Sequence, residues 1–264
     1  ALPIYAHEQD SIKVENWLKE AISLPQDSCR TLHFAKKMLG VPYVAATLDG
    51  NEEEQLVVHV DQLDCTTFVE TVLALCIADK RDARSFDGFK KALTDVRYRD
   101  GVLDGYASRL HYFSDWIRNN EQMGFVKECT SETSCAQPQE LWLNFMTTHV
   151  DSYQPMKKNH ALVEVMAAQE KNWQGTIVSY IPKEKLNLPP EELKIKDGDI
   201  LAMVTNIKGL DIVHVGFAFW KDNHLHLLHA SSSAKKVIED PKTQYESSGK
   251  TKAHIGVRAI RIIL

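Results

Sequence analysis

The sequence predicts an α+β protein, with helices first and an antiparallel sheet last. Apolar residues recur at helical spacing through much of the first two thirds of its 264 residues. The final third is rich in β-branched residues punctuated by turns. No repeat, low-complexity tract or linker cuts the chain in two, so helices and strands are expected to share one layered core. Hydrophobic residues make up 44% and charged residues 25%, the balance of an ordinary globular protein. A net charge of −5 with no Lys/Arg stripe argues against a nucleic-acid partner. No apolar run approaches the ~20 residues needed to span a bilayer.

The first helical stripe is "SIKVENWLKEAISL", residues 11–24, with Ser11 placed to cap it. "SCRTLHFAKKMLGVPY" reads as a second helix, stopped by Gly40 and Pro42. After a polar excursion at 48–54, "QLVVHVDQL" is strand-like. A third helix starts at Cys65, with Asp64 at the N-cap position and Phe68, Val69, Val72, Leu73 and Cys76 at helical spacing. "SRLHYFSDWIRNN" and "PMKKNHALVEVMAAQ" give two more helices. "GDILAMVTN", "DIVHVGFAFWK", "HLHLLHASS" and "IGVRAIRIIL" then read as successive antiparallel strands, with Asp222-Asn223 as a hairpin turn.

Five cysteines leave at least one thiol free. "CTSETSC", Cys129 to Cys135, is a short polar loop compatible with a disulfide or with two unpaired thiols. Cys76, inside an apolar helix, reads as packing. Cys65 differs. Unpaired N–H groups and the positive end of the helix dipole favour a thiolate there and can serve an oxyanion, so a lowered thiol pKa is expected. A thiol nucleophile needs a base. Of eleven histidines, His7 lies in the N-terminal tail, His33 on a helix, and His160 and His254 at expected surface positions. His214 interrupts an apolar strand and is followed by Gly216, which permits close backbone approach. The next strand carries His224 and His226 on one face and His229 on the other, so a hairpin brings a second imidazole near His214.

"GVPY", "LDCTTFVE", "DIVHVGF" and "LLHASS", in that order, resemble the NlpC/P60 cell-wall cysteine peptidases, which have a papain-like α+β fold. Together with "GYASRLHYFSDW" they look like the DUF1460 branch, associated with N-acetylmuramoyl-L-alanine amidase activity. The resemblance runs from about residue 30 to the C-terminus. It implies one catalytic domain over 1–264, with a helical insertion around 80–175. It also implies Cys65 as nucleophile, His214 as base, His229 orienting His214, Tyr43 supporting the oxyanion and Asp64 near the substrate's amine or amide. Thr66-Thr67 replaces the family's usual Ser-Gly, and the stretch between "GVPY" and Cys65 is longer than in simple members; both suggest a reshaped pocket.

The crowded segment with Arg109, His111, Tyr112 and Trp116 adds a cation and an aromatic wall for an acidic sugar-peptide; the alternative is an amphipathic helix with Trp116 in the core. The expected substrates are peptidoglycan fragments, with no cofactor or metal. Specificity for the γ-D-glutamyl bond of the stem peptide is the nearest alternative, and a non-catalytic muropeptide-binding protein is another. A zinc hydrolase on His224, His226 and His229 is disfavoured, because those residues face opposite sides of a regular strand. The family, the possible disulfide and a chain beginning at Ala1 suggest a periplasmic or secreted protein.

Overall fold

The structure, a computed structural model, describes residues 4–264. β1 (Ile4–Ala6) leads into α1 (Glu8–Ala21), which buries Val14, Leu18 and Ala21. This helix begins before Ser11. His7 is its N-cap, and the Asp10 carboxylate accepts the His7 N–H at 3.2 Å. Ser11 instead donates to the Glu8 carbonyl at 2.7 Å. α2 (Arg30–Lys37) is followed by Gly40 at φ +83°, a left-handed turn residue, as the sequence suggested. β2 (Leu56–Val58) uses only three residues of the expected strand and pairs in parallel with β1, apart from the main sheet.

α3 (Cys65–Lys80) runs through the core. Every residue from Thr67 to Asp79 is buried, because the helix is apolar on almost every side and has no polar face to offer water. Phe68 packs edge-on against Phe217 at 5.5 Å, fixing the helix against the sheet.

α4 (Phe86–Arg97) starts at Ser85, whose hydroxyl accepts the Gly88 N–H at 3.0 Å. α5 (Phe113–Gln122) follows; the expected helix at 108–120 thus begins five residues late, with Arg109 and His111 in the irregular chain before it. Next come β3 (Val126–Glu128), β4 (Gln137–Leu141), α6 (Phe145–Thr148), α7 (Gln154–Lys158) and α8 (His160–Lys171). The stretch expected as a helical insertion therefore also supplies two strands. All five cysteines carry free thiols, so no disulfide closes the Cys129–Cys135 loop. Cys129 is buried, with its sulfur 3.4 Å from the Ala259 carbonyl.

β5 (Thr176–Pro182) and α9 (Pro190–Leu193) precede the strands read from sequence: β6 (Ile200–Thr205), β7 (Ile212–Lys221) and β8 (His224–Ser231). β9 (Lys236–Glu239), α10 (Gln244–Ser248) and β10 (His254–Ile262) complete the chain. The eight-stranded sheet is antiparallel throughout, in the order β4-β5-β10-β6-β7-β8-β9, with β3 also paired to β10. Asp222 and Asn223, at φ +51° and +61°, make the tight β7–β8 turn. His254, expected at the surface, is buried and hydrogen-bonded to the Gly256 carbonyl at 2.7 Å. The architecture is α+β as expected, with helices packed on an antiparallel sheet.

Candidate active site

Two devices hold the start of α3. Asp64 Oδ1 accepts the Thr67 N–H at 2.8 Å, and the Thr67 hydroxyl oxygen accepts the Asp64 N–H at 3.0 Å. The "GVPY" turn comes from well before it in the chain and is bridged to it at Tyr43 and Leu63. Gly40 N–H donates to Val237 O at 2.9 Å and Tyr43 N–H to Lys235 O at 2.9 Å; on the other side Val44 N–H reaches Leu63 O at 3.0 Å. Tyr43 is thereby held beside Asp64 and Cys65. Burial first, and then the neighbouring Cys65 and Asp64, raise its hydroxyl pKa, so it remains a proton donor.

The backbone N–H of Val215, one residue beyond His214 on β7, is near enough to the Cys65 sulfur to favour its charged form. A bulge lies on the other side of that histidine: Met203 pairs with His214 and Val204 with Ile212, leaving Val213 as the extra residue. Gly216 allows β7 and β8 to close up, since a Cβ there would lie 2.8 Å from His229 Cβ. His214 Nε2 lies 2.6 Å from His229 Nδ1, and His229 Nε2 lies 3.3 Å from Asp240 Oδ2.

Asp240 sets the direction of this chain. Although burial raises its pKa, hydrogen bonds from His229 and the Lys242 N–H bring it below the usual value, so it is an ionised acceptor. His229 Nε2–H therefore donates to Asp240, His229 Nδ1 accepts, and His214 Nε2–H donates in turn. His214 Nδ1 keeps a free lone pair for a proton. Asp240 was not singled out in the sequence, because it lies beyond β9 and only the returning strand brings it back to β8.

The expected lowering of the thiol pKa is not found. Burial, followed by the Asp64 charge, pushes Cys65 up to about 11. Burial also pushes His214 down to about 3, assisted by His229 and His254. The resting pair is a neutral thiol and a neutral imidazole; desolvation outweighs the helix terminus.

Asp64, Arg109 and His111 meet around a cavity of about 160 Å³ beside Thr66. Arg109 is not free to grip a carboxylate. Asp49 lies 2.6 Å and Glu54 2.9 Å from it, so it clamps the 49–54 loop under two negative charges. His111 Nε2–H donates to the Tyr106 carbonyl at 2.8 Å. Tyr112 and Trp116 turn away into the core: Tyr112 donates to Glu170 and accepts the Met146 N–H, while fully buried Trp116 donates to Glu70 at 3.2 Å. The zinc trio does not converge. His224 is exposed, His226 bonds the Asp240 carbonyl at 2.9 Å, and His229 is held by His214 and Asp240.

His111, like His214, is pushed down to about 3, by burial and then by the Arg109 charge. Both are neutral in the fold, whereas an unfolded histidine titrates near 6.5. Below pH 6.5 the unfolded chain binds more protons, so stability is complete above that value and falls towards pH 3. Each histidine contributes up to about 4–5 kcal/mol to this loss. Melting temperatures from pH 7 to 4 should fall steeply in the wild type and less steeply in His111→Gln, whose amide can still donate to Tyr106; parallel curves would refute the assignment.

A half-buried thiol packed against the strand that carries an imidazole, itself aligned by a second imidazole and a carboxylate, is a set of groups that can pass a proton from sulfur to nitrogen as the sulfur attacks a carbonyl. That chemistry defines the class of nucleophilic acyl-transfer sites. Residues 33–252 match the family described as AmiA-like, N-acetylmuramoyl-L-alanine amidase-like, and the chain belongs to that family. It is similar to a solved N-acetylmuramoyl-L-alanine amidase from Bacteroides uniformis, with 39% identity and a TM-score of 0.83 over 89% of this chain and 98% of that one. A protein from Bacteroides fragilis described as a putative xylanase is also 39% identical, with a TM-score of 0.80 over 86% of this chain and 98% of that one. A Legionella pneumophila protein of family DUF1460 shares the fold, with 23% identity and a TM-score of 0.76 over 97% and 95% of the two chains. No curated protein matches the chain.

Proposed function

We propose that the protein is a cysteine hydrolase of the NlpC/P60 type that splits the amide between the lactyl group of N-acetylmuramic acid and L-alanine in peptidoglycan fragments, in the periplasm or outside the cell. Its family and the amidases among its solved relatives support a cell-wall amidase-like function. The observation that carries the mechanism is the run of hydrogen bonds from Asp240 through His229 to His214, on the strand whose next residue, Val215, lies near the Cys65 sulfur.

As the sulfur attacks the lactyl carbonyl carbon, its proton passes to His214 Nδ1. The oxyanion is met by N–H groups at the start of α3 and by the Tyr43 hydroxyl. His214 then gives the proton to the departing alanine nitrogen, the C–N bond breaks, and a thioester remains. Water attacks the thioester with His214 as base, and the released thiolate recovers its proton. The net change is amide plus water to carboxylic acid plus amine. Because both resting partners are neutral, proton transfer accompanies attack rather than preceding it. The Asp64–His111 cavity is the subsite for polar groups next to the scissile bond.

Mass spectrometry of N-acetylmuramoyl-L-alanyl-D-isoglutamine digests tests this reading. The expected products are N-acetylmuramic acid and the intact dipeptide in equal amounts. Cleavage between alanine and isoglutamine would move the function to a peptidase, and an unchanged substrate would defeat it.

A further inference from the structure

A second cluster of ligating groups lies behind the chain that leads into α3. Asp10 comes from the first turn of α1, and His59 and Asp61 from the connection after β2. One ligating atom from each residue lies within 4.8 Å of the others.

The three groups are not matched by protein alone. Asp10 is 1% exposed; its oxygens accept the Val60 N–H at 3.1 Å and the His7 N–H at 3.2 Å, and among the described residues no lysine or arginine pairs with it. A buried carboxylate without a counter-charge is costly. The His59 side chain is only 9% exposed, and its buried Nδ1 has no hydrogen-bond partner among the described residues. That nitrogen faces Asp61 Oδ1 at 3.8 Å, too far for a hydrogen bond but suited to an intervening ligand. Tyr5 packs edge-on against the His59 ring at 5.6 Å and fixes its plane.

We propose that Asp10, His59 and Asp61 bind a divalent transition cation, zinc by preference, as a structural clip between α1 and the segment that carries Cys65. One imidazole nitrogen with two carboxylate oxygens is a borderline donor set that suits zinc better than calcium or magnesium. Water would complete the coordination. The cation would neutralise Asp10, give His59 Nδ1 its missing partner and anchor the chain four residues before the thiol. It would take no part in bond cleavage.

The test uses the Cys65→Ala protein, which removes a competing sulfur ligand, after dialysis against a chelator. Titration with zinc chloride in a calorimeter should give one equivalent bound, and saturation should raise the melting temperature by several degrees. Asp61→Asn alters a half-exposed side chain and should fold normally, yet weaken zinc at least ~10-fold and remove the thermal shift. His59→Gln should do the same; if it does not fold, Asp61→Asn alone decides. No saturable binding, undiminished binding by Asp61→Asn, or tighter binding of calcium than zinc would overturn the proposal.

Discussion

Cys65→Ala should lose the hydrolysis of N-acetylmuramoyl-L-alanine substrates by a factor on the order of 10⁴–10⁶, with its melting temperature nearly unchanged. The substitution removes only the sulfur; the Asp64–Thr67 cap that holds the helix start stays in place. His214→Ala should fall by a similar factor, because without a base the thiol, at about 11, is protonated at neutral pH. The two effects should not add, since each removes the same proton transfer. Asp240→Asn should cost less, roughly 10–100-fold, by weakening the orientation of His229. Its signature is a drop in kcat with little change in KM, since Asp240 acts through His229 rather than on substrate. Steady-state kinetics on the wild type, the three single variants and the Cys65→Ala/His214→Ala double variant checks this. Residual activity of Cys65→Ala above a few per cent would exclude the sulfur as nucleophile.

Glu70→Ala should be the most destabilising single substitution near the site. Glu70 Oε1 accepts Arg97 Nε–H at 2.9 Å, and both side chains are 2% exposed. Its other oxygen accepts the Trp116 indole N–H at 3.2 Å, while Arg97 also donates to the Val57 carbonyl at 2.7 Å. Removing the carboxylate strands a buried guanidinium, at a cost of about 3–5 kcal/mol. The unpaired indole adds about 1 kcal/mol. For a chain of this size the melting temperature should drop by roughly 10 °C or more. The double variant Glu70→Leu/Arg97→Met should recover most of that loss, because an apolar pair needs no desolvation. If Glu70→Ala melts within about 2 °C of the wild type, the pair is not desolvated and the argument fails.

Much of the site-bearing core was legible in the sequence. α3 declared itself by its apolar residues and by Asp64, and β6, β7, β8 and β10 by β-branched runs separated by turns. The β7–β8 hairpin was readable from Asp222-Asn223, and with it the approach of His229 to His214. β3 and β4 were not, because strands of three and five residues have no usable period and exist through their partners. α4 carries a readable signal as well, with Ser85 as its cap and Phe89, Ala92, Leu93 and Val96 at helical spacing. The pairing of Arg109 is hidden for a different reason. Its partner Asp49 lies 60 residues earlier, and pairing over that distance leaves no local pattern. The thiol's raised pKa was hidden in the same way: a sequence reveals a helix start, but not the packing that dries it.

The passage of α3 beneath β7 also governs how the protein comes into being. The sulfur-bearing helix leaves the ribosome about 150 residues before the strand that covers it, so its apolar surface must wait for the C-terminal hairpin, and a topology of such distant pairings folds slowly. β3 likewise waits for β10, more than about 120 residues later in the sequence. During that interval Cys65 is an accessible thiol with no imidazole beside it, open to oxidants. A newborn chain therefore depends on shielding or a reducing environment until its last strand closes the sheet.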